Sequence, residues 1–203
     1  MRFPFFASFI VFCIWLGYEL HKQRNKEAKT DRDFWQKEAT ANSTRRKSLE
    51  NLSYIEIPFD MLPMTALPDD SVIKECHETL KEISAFPIVN LTGISNTDLK
   101  LQYGAPNIDL LSQYDQRYTI LARTLQTWAN RLYEKDCPDA ARCILEFAVE
   151  THTDISGSYK LLSAIYQEAG QPEKIKDLIP VAEALNSPLK RHIVQLLKEQ
   201  VHD

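Results

Sequence analysis

Gly104-Ala105-Pro106-Asn107, Asp136-Cys137-Pro138-Asp139 and Gly170-Gln171-Pro172-Glu173 recur along the C-terminal two thirds of the chain, with successive prolines 32 and 34 residues apart. In each motif Gly or Asp ends one helix, Pro supplies a pre-set φ for the first turn of the next, and Asn or an acid suits the positive start of that helix. Apolar residues at helical spacing flank the motifs. A helix-turn-helix unit returning at this period predicts an all-α stack of antiparallel helix pairs.

A true repeat must superpose its buried positions as well as its turns. Leu121, Leu125, Trp128 and Leu132 fall at helical spacing before the second motif, and Ala141, Leu145 and Ala148 follow it. Tyr159, Leu162, Tyr166, Ile175, Ile179 and Ala182 stand 34 residues after Leu125, Trp128, Leu132, Ala141, Leu145 and Ala148. Small Ala129 and Ser163 also match, as a close helix crossing requires. The pattern resembles the tetratricopeptide (TPR) repeat over about residues 95–187. Against that family, Asp136 stands where a turn Gly is usual, Ile175 replaces a small residue and Pro188 comes one residue late. The earliest unit, Ser95 to Asp115, matches only at its Gly104–Pro106 turn.

The resemblance implies that the inner face of the first helix of each unit receives an extended peptide. That face carries Arg123, Gln126, Asn130 and Tyr133, then Lys160 and Gln167. Asn130 and Lys160 resemble members of the polar clamp with which some TPR domains hold a C-terminal carboxylate, a clamp that draws on three full repeats where this chain has two good ones.

At the other end Phe3 to Tyr18 carry no charge: FPFFASFIVFCIWLGY. The run predicts a single transmembrane helix within residues 1–20, about 24 Å long against a hydrocarbon core of about 30 Å, with Arg2 snorkelling and Trp15 and Tyr18 at the interface. No small-x-small cleavage site follows it. Lys22, Arg24, Lys26 and Lys29 on its C-terminal side would place the rest of the chain in the cytoplasm and beside anionic lipid.

Charge divides along the chain. Residues 1–50 carry ten Lys or Arg against six Asp or Glu, and residues 51–203 fourteen against twenty-two, within a net charge of −4. An acidic globular part argues against nucleic acid as a partner, since phosphate neutralisation needs clustered Lys and Arg. Cys13, Cys76, Cys137 and Cys143 form no CxxC pair and imply no disulfide framework. The three N-x-[ST] sequons, at Asn42, Asn51 and Asn90, read as chance.

Between these ends, residues 21–50 read as a charged linker, a helix fraying after the anchor. Residues 51–70 form an apolar arm broken by prolines, extended rather than a central strand, which either lies along the helical domain in cis, the favoured placement, or presents to a partner as an extended peptide. The helical domain proper spans 71–203. Ser71 can cap its first helix, whose stripe is Val72, Ile73, Cys76, Leu80 and Ile83, with Pro87 ending it. After Pro188, a capping helix turns Ile193, Leu196 and Leu197 inward.

Five glycines form no GxGxxG or Walker loop, and the histidines make no i, i+4 pair, so neither a cofactor nor a metal is implied. The reading is a membrane-tethered protein-interaction adaptor with a protein or peptide partner and no catalytic residue. The alternative is a membrane-anchored hydrolase or transferase built on Cys76, His77 and the hydroxyl-rich Thr92 to Asp98, which requires one pocket gathering those residues.

Overall fold

The computed structural model describes residues 4–202 and, within them, the side chains outside 4–7, 25–29 and 202. Its helices are α1 (Pro4–Ser43), α2 (Ser71–Ser84), α3 (Asn96–Tyr103), α4 (Ile108–Glu134), α5 (Pro138–Glu150), α6 (Ser156–Glu168), α7 (Glu173–Ala184) and α8 (Lys190–His202). A 3-10 turn occupies Ala105–Asn107, and the extended backbone among the described residues pairs only in one isolated antiparallel bridge, Tyr54 to Val89. The all-α reading holds. The chain divides into two compact units, Met1–Lys47 with Asn96–Asn107, and Ser48–Ser95 with Ile108–Asp203.

The first unit corrects the N-terminal expectation. The charge-free run continues without a break into the 40-residue α1, and no helix among the described residues is long and apolar enough to cross a membrane. The physical reason is length: at 1.5 Å per residue the run covers about 24 Å, a longer window takes in Arg2 or Glu19, and Ser8, Gly17 and Tyr18 already dilute its hydropathy. The single-pass topology is therefore withdrawn, and with it the cytoplasmic placement that followed from it. Arg2 and Phe3 lie outside the described residues.

Of residues 21–50, read as a linker with a fraying helix, 21–43 are helical, and α3 packs against the last turns of that helix. Lys100 Nζ donates to Glu38 Oε1 at 2.6 Å and Asn42 Oδ1 at 2.8 Å, Thr97 Oγ1 to Glu38 Oε2 at 2.5 Å, and Lys37 Nζ to Asp98 Oδ1 at 2.6 Å. The Lys100 hydrogen bond, followed by that from Thr97, holds the Glu38 carboxyl below the ordinary range. Buried Asn107 closes this unit, its Nδ2 donating to the Lys47 and Tyr103 carbonyls at 2.9 and 2.8 Å.

In the second unit α4 packs on α5, α6 on α7, and α8 on both α6 and α7, while α2 lies against α4. The 34-residue shift holds in the core. Leu125 and Tyr159, Trp128 and Leu162, Leu132 and Tyr166, Ala141 and Ile175, and Ala148 and Ala182 are buried pairs, and Ala129 and Ser163 are buried at the crossings. The exception is Leu145, buried, against Ile179, which is only partly so.

Two hydrogen bonds repeat from one turn to the other. Cys137 N donates to Leu132 O at 3.0 Å and Gln171 N to Tyr166 O at 2.8 Å; Asp136 N donates to Tyr133 O at 3.1 Å and Gly170 N to Gln167 O at 2.9 Å. Both pairs are 34 residues apart. Asp136 and Gly170 take the left-handed conformation at φ 57° and 67°, which ends a helix on such 6→1 closures and which Asp tolerates better than most side chains. These packed helix pairs are compatible with a helical repeat.

The arm at 51–70 belongs to this unit and covers its core. Leu62 is buried, Ile55, Ile57, Phe59, Met64, Ala66 and Leu67 pack on the core, and Ile55 N donates to Ile88 O at 2.9 Å. The N-cap of α2 is Asp70 rather than Ser71. Its Oδ1 accepts from Val72 N at 3.0 Å and Ile73 N at 3.3 Å, while its Oδ2 binds Arg131 at 2.8 Å. A carboxylate there meets both the helix start and an arginine, which a hydroxyl cannot.

Candidate functional site

Positions i, i+3, i+7 and i+10 of α4 put Arg123, Gln126, Asn130 and Tyr133 on one helical face, and Lys160 and Gln167 share a face of α6. The structure ties the middle of that set together. Gln126 Nε2 donates to Asn130 Oδ1 at 2.8 Å, and Ser158 Oγ on α6 donates to Gln126 Oε1 at 2.5 Å. Tyr133 OH donates to Glu168 Oε1 at 2.5 Å, a hydrogen bond that raises the phenol pKa. Gln126, Asn130 and Tyr133 are thus held in fixed rotamers by α6, through Ser158 and Glu168.

The other three members sit apart from this network. Arg123 lines a small pocket of about 190 Å³ against α2, with Glu75, Cys76, Thr79 and Thr127. Gln167 Nε2 donates to the Gln200 carbonyl of α8 at 2.8 Å, so its amide serves the capping helix. Lys160 is exposed, and its carbonyl accepts from Ser163 Oγ at 2.9 Å. Sequence reasoning missed Ser158 and Glu168. The repeat register aligns them with Thr124 and Glu134, which gives no signal that they bond to Gln126 and Tyr133 on the neighbouring first helix.

Of the other arginines on α4 and α5, all three are committed internally. Arg131 pairs with Asp70 and Glu134, Arg142 with Asp139 and Glu146, and Arg117 stacks on Phe86 and Tyr114 while donating to the Pro87 carbonyl. Arg123 and the Lys160 ammonium are exposed, with no hydrogen bond or ion pair among the described residues. They are the two cations among the residues singled out on these helices.

Within this unit, Cys76 and His77 share no pocket with Thr92 and Ile94. Cys76 is buried, and burial pushes its thiol up to about 11, so it carries no thiolate at neutral pH. Thr92 and Ile94 line a different pocket, which contains neither Cys76 nor His77. Among the described residues no group of His, Cys, Asp and Glu is placed to hold a metal ion.

His77 packs edge-on against Trp128, ring centroids 4.6 Å apart, and its Nε2 is buried without a hydrogen-bond partner. Burial, then the Lys81 charge, lowers its pKa. A histidine whose folded pKa is depressed binds its proton more tightly when unfolded, so the fold loses stability as pH falls below the unfolded value of about 6.5. Urea midpoints are accordingly expected to be flat from pH 8 to about 7 and to decline from there to about pH 5. His77→Phe, which keeps the ring contact, should remove most of that decline; an unchanged slope would contradict the assignment.

Comparison of the chain with protein-family models, with curated proteins and with solved structures yields no match to any of them.

Proposed function

We propose that this protein is a protein-interaction module whose helices α4–α7 form a short TPR-like stack, with α8 as its cap. The observation that carries the reading is the duplication at 34 residues of both the buried positions and the turn hydrogen bonds. Two units so related set their first helices, α4 and α6, side by side, and the Gln126–Ser158 and Tyr133–Glu168 bonds hold that face rigid. A rigid polar face lowers the ordering cost of receiving an extended peptide.

Arg123 and Lys160 set the chemistry of the partner. Both are unpaired cations in a region, residues 51–203, that is otherwise acidic. The favoured peptide carries acidic side chains or a C-terminal carboxylate. Reversing both charges, Arg123→Glu with Lys160→Glu, is expected to weaken partner capture by about 100-fold, because like charges across an interface cost several kcal/mol. Helicity by circular dichroism should stay unchanged, since exposed charges contribute little to folding. Affinity purification with wild type and double variant side by side decides the matter: an identical set and yield of co-purifying proteins would mean that this face receives no partner.

A further inference from the structure

The opposite ends of the same helix pairs build a second feature. The α5–α6 connection, the α7–α8 connection and residues 90–94 close around a pocket of about 440 Å³, within the size range of small-molecule sites. Its rim is fixed by bonds that link one loop to the next. Asn90 Nδ2 donates to the Thr151 and His152 carbonyls, both at 3.1 Å, Ser187 Oγ donates to Asp154 Oδ2 at 2.6 Å, and Asn186 Nδ2 reaches Thr92 O at 3.5 Å. From beneath, buried Tyr118 and Tyr159 donate to the Thr151 and Thr153 carbonyls at 3.1 and 3.0 Å.

The formal charge of the lining is one-sided. Its amide and hydroxyl donors are largely committed: Asn90, Asn186 and Ser187 as above, Tyr54 OH to Leu49 O and Thr151 Oγ1 to Ala148 O. The Ser53 and Thr92 hydroxyls and the exposed His152 imidazole make no bond among the described residues, and the open charged groups are the exposed Glu150 carboxylate and Asp154 Oδ1. No Lys or Arg lines the pocket, while Tyr54, Ile94 and Leu185 give it an aromatic and aliphatic wall. The negative field is felt beyond the lining: after burial, the charge of Asp154 adds to the rise of the Tyr159 phenol to about 12, and it raises Tyr118 as well. A ligand that carries positive charge, donates hydrogen bonds and presents hydrocarbon complements the two carboxylates and this wall.

We propose that this pocket binds a small alkylammonium ion, its charge taken by Glu150 and Asp154 and its chain laid on Tyr54 and Leu185. An ammonium supplies three donors and no acceptor, matching the open carboxylate oxygens, and an aromatic ring beside it adds cation–π attraction. The site lies at the loop ends of the helices and does not depend on the peptide-binding reading.

Isothermal titration of the full chain with 1,4-diaminobutane is expected to give saturable binding, weakened at least about threefold by raising salt from 50 to 500 mM, as a charge-driven contact requires. The neutral isostere 1,4-butanediol should bind at least about tenfold more weakly, and Glu150→Gln with Asp154→Asn should reduce diamine affinity by about tenfold or more. Asparagine retains an oxygen for the Ser187 hydroxyl, so the rim bond survives. If the double variant loses its helicity, exposed Glu150→Gln alone carries the test, with a loss of about threefold expected. No saturable heat up to about 10 mM diamine, equal binding of the diol, or unchanged affinity in the variant that folds would each overturn the proposal.

Discussion

Gly93→Ala is expected to be the most damaging single-methyl change in the second unit, at about 3 kcal/mol or more. Gly93 sits at φ 79°, and a Cβ built there would stand 1.7 Å from the Asn186 carbonyl oxygen. The obstacle is backbone, held on one side by Ser187 on Asp154, so it cannot swing away as a flexible side chain would. Gly170→Ala supplies the control. That glycine has nearly the same left-handed φ, 67°, but nothing within 4 Å of its would-be Cβ, so it should lose only about 1 kcal/mol from backbone strain. Urea denaturation at constant m-value measures both, and equal losses would show that the Gly93 approach to Asn186 is not a fixed contact.

That contact marks a limit of what the chain reveals before folding. Gly93 and Asn186 are 93 residues apart and neither belongs to a periodic pattern, so no local signal pairs them. Signals that did carry were those in which one residue's chemistry fixes its own backbone or its own helical face. Pro138 and Pro172, each following a left-handed Asp136 or Gly170, marked two turns, and Leu125 through Ala182 kept their register because burial repeats wherever the helix crossing repeats. Asp70 as the cap escaped notice because Ser71 offers an equally good oxygen one residue later, and only the position of Arg131 on α4 decides between them.

The N-terminal run failed for a different reason. Absence of charge is not hydropathy: Ser8, Gly17 and Tyr18 contribute little to a transfer free energy, and Glu19 ends the run before it reaches a membrane-spanning length. The candidate site was legible in part. Spacing alone put Gln126, Asn130 and Tyr133 on one face, because that depends only on α4. Their partners Ser158 and Glu168, the turn of Arg123 toward α2 and the capture of Gln167 by α8 depend on which helix covers which, and periodicity is silent on neighbours.

Trp128→Ala should rival Gly93→Ala in cost, and its conservative counterpart separates two contributions. Trp128 is fully buried between the α4 face and its neighbours, so truncation to alanine is expected to lose about 3–5 kcal/mol through transfer and cavity together. Its indole N–H, however, is buried with no hydrogen-bond partner, and the His77 ring stands against it at an interplanar angle of 79°. An orphaned donor costs the fold its desolvation without return, by about 1–3 kcal/mol. Trp128→Phe removes that donor while keeping an aromatic ring beside the imidazole, so the two changes in free energy oppose each other and the net loss should fall below about 1.5 kcal/mol. Thermal and urea unfolding of the two variants test this directly. A phenylalanine variant as unstable as the alanine one would mean that the indole N–H is satisfied after all, and that the tryptophan at 128 is held by a bond rather than by packing.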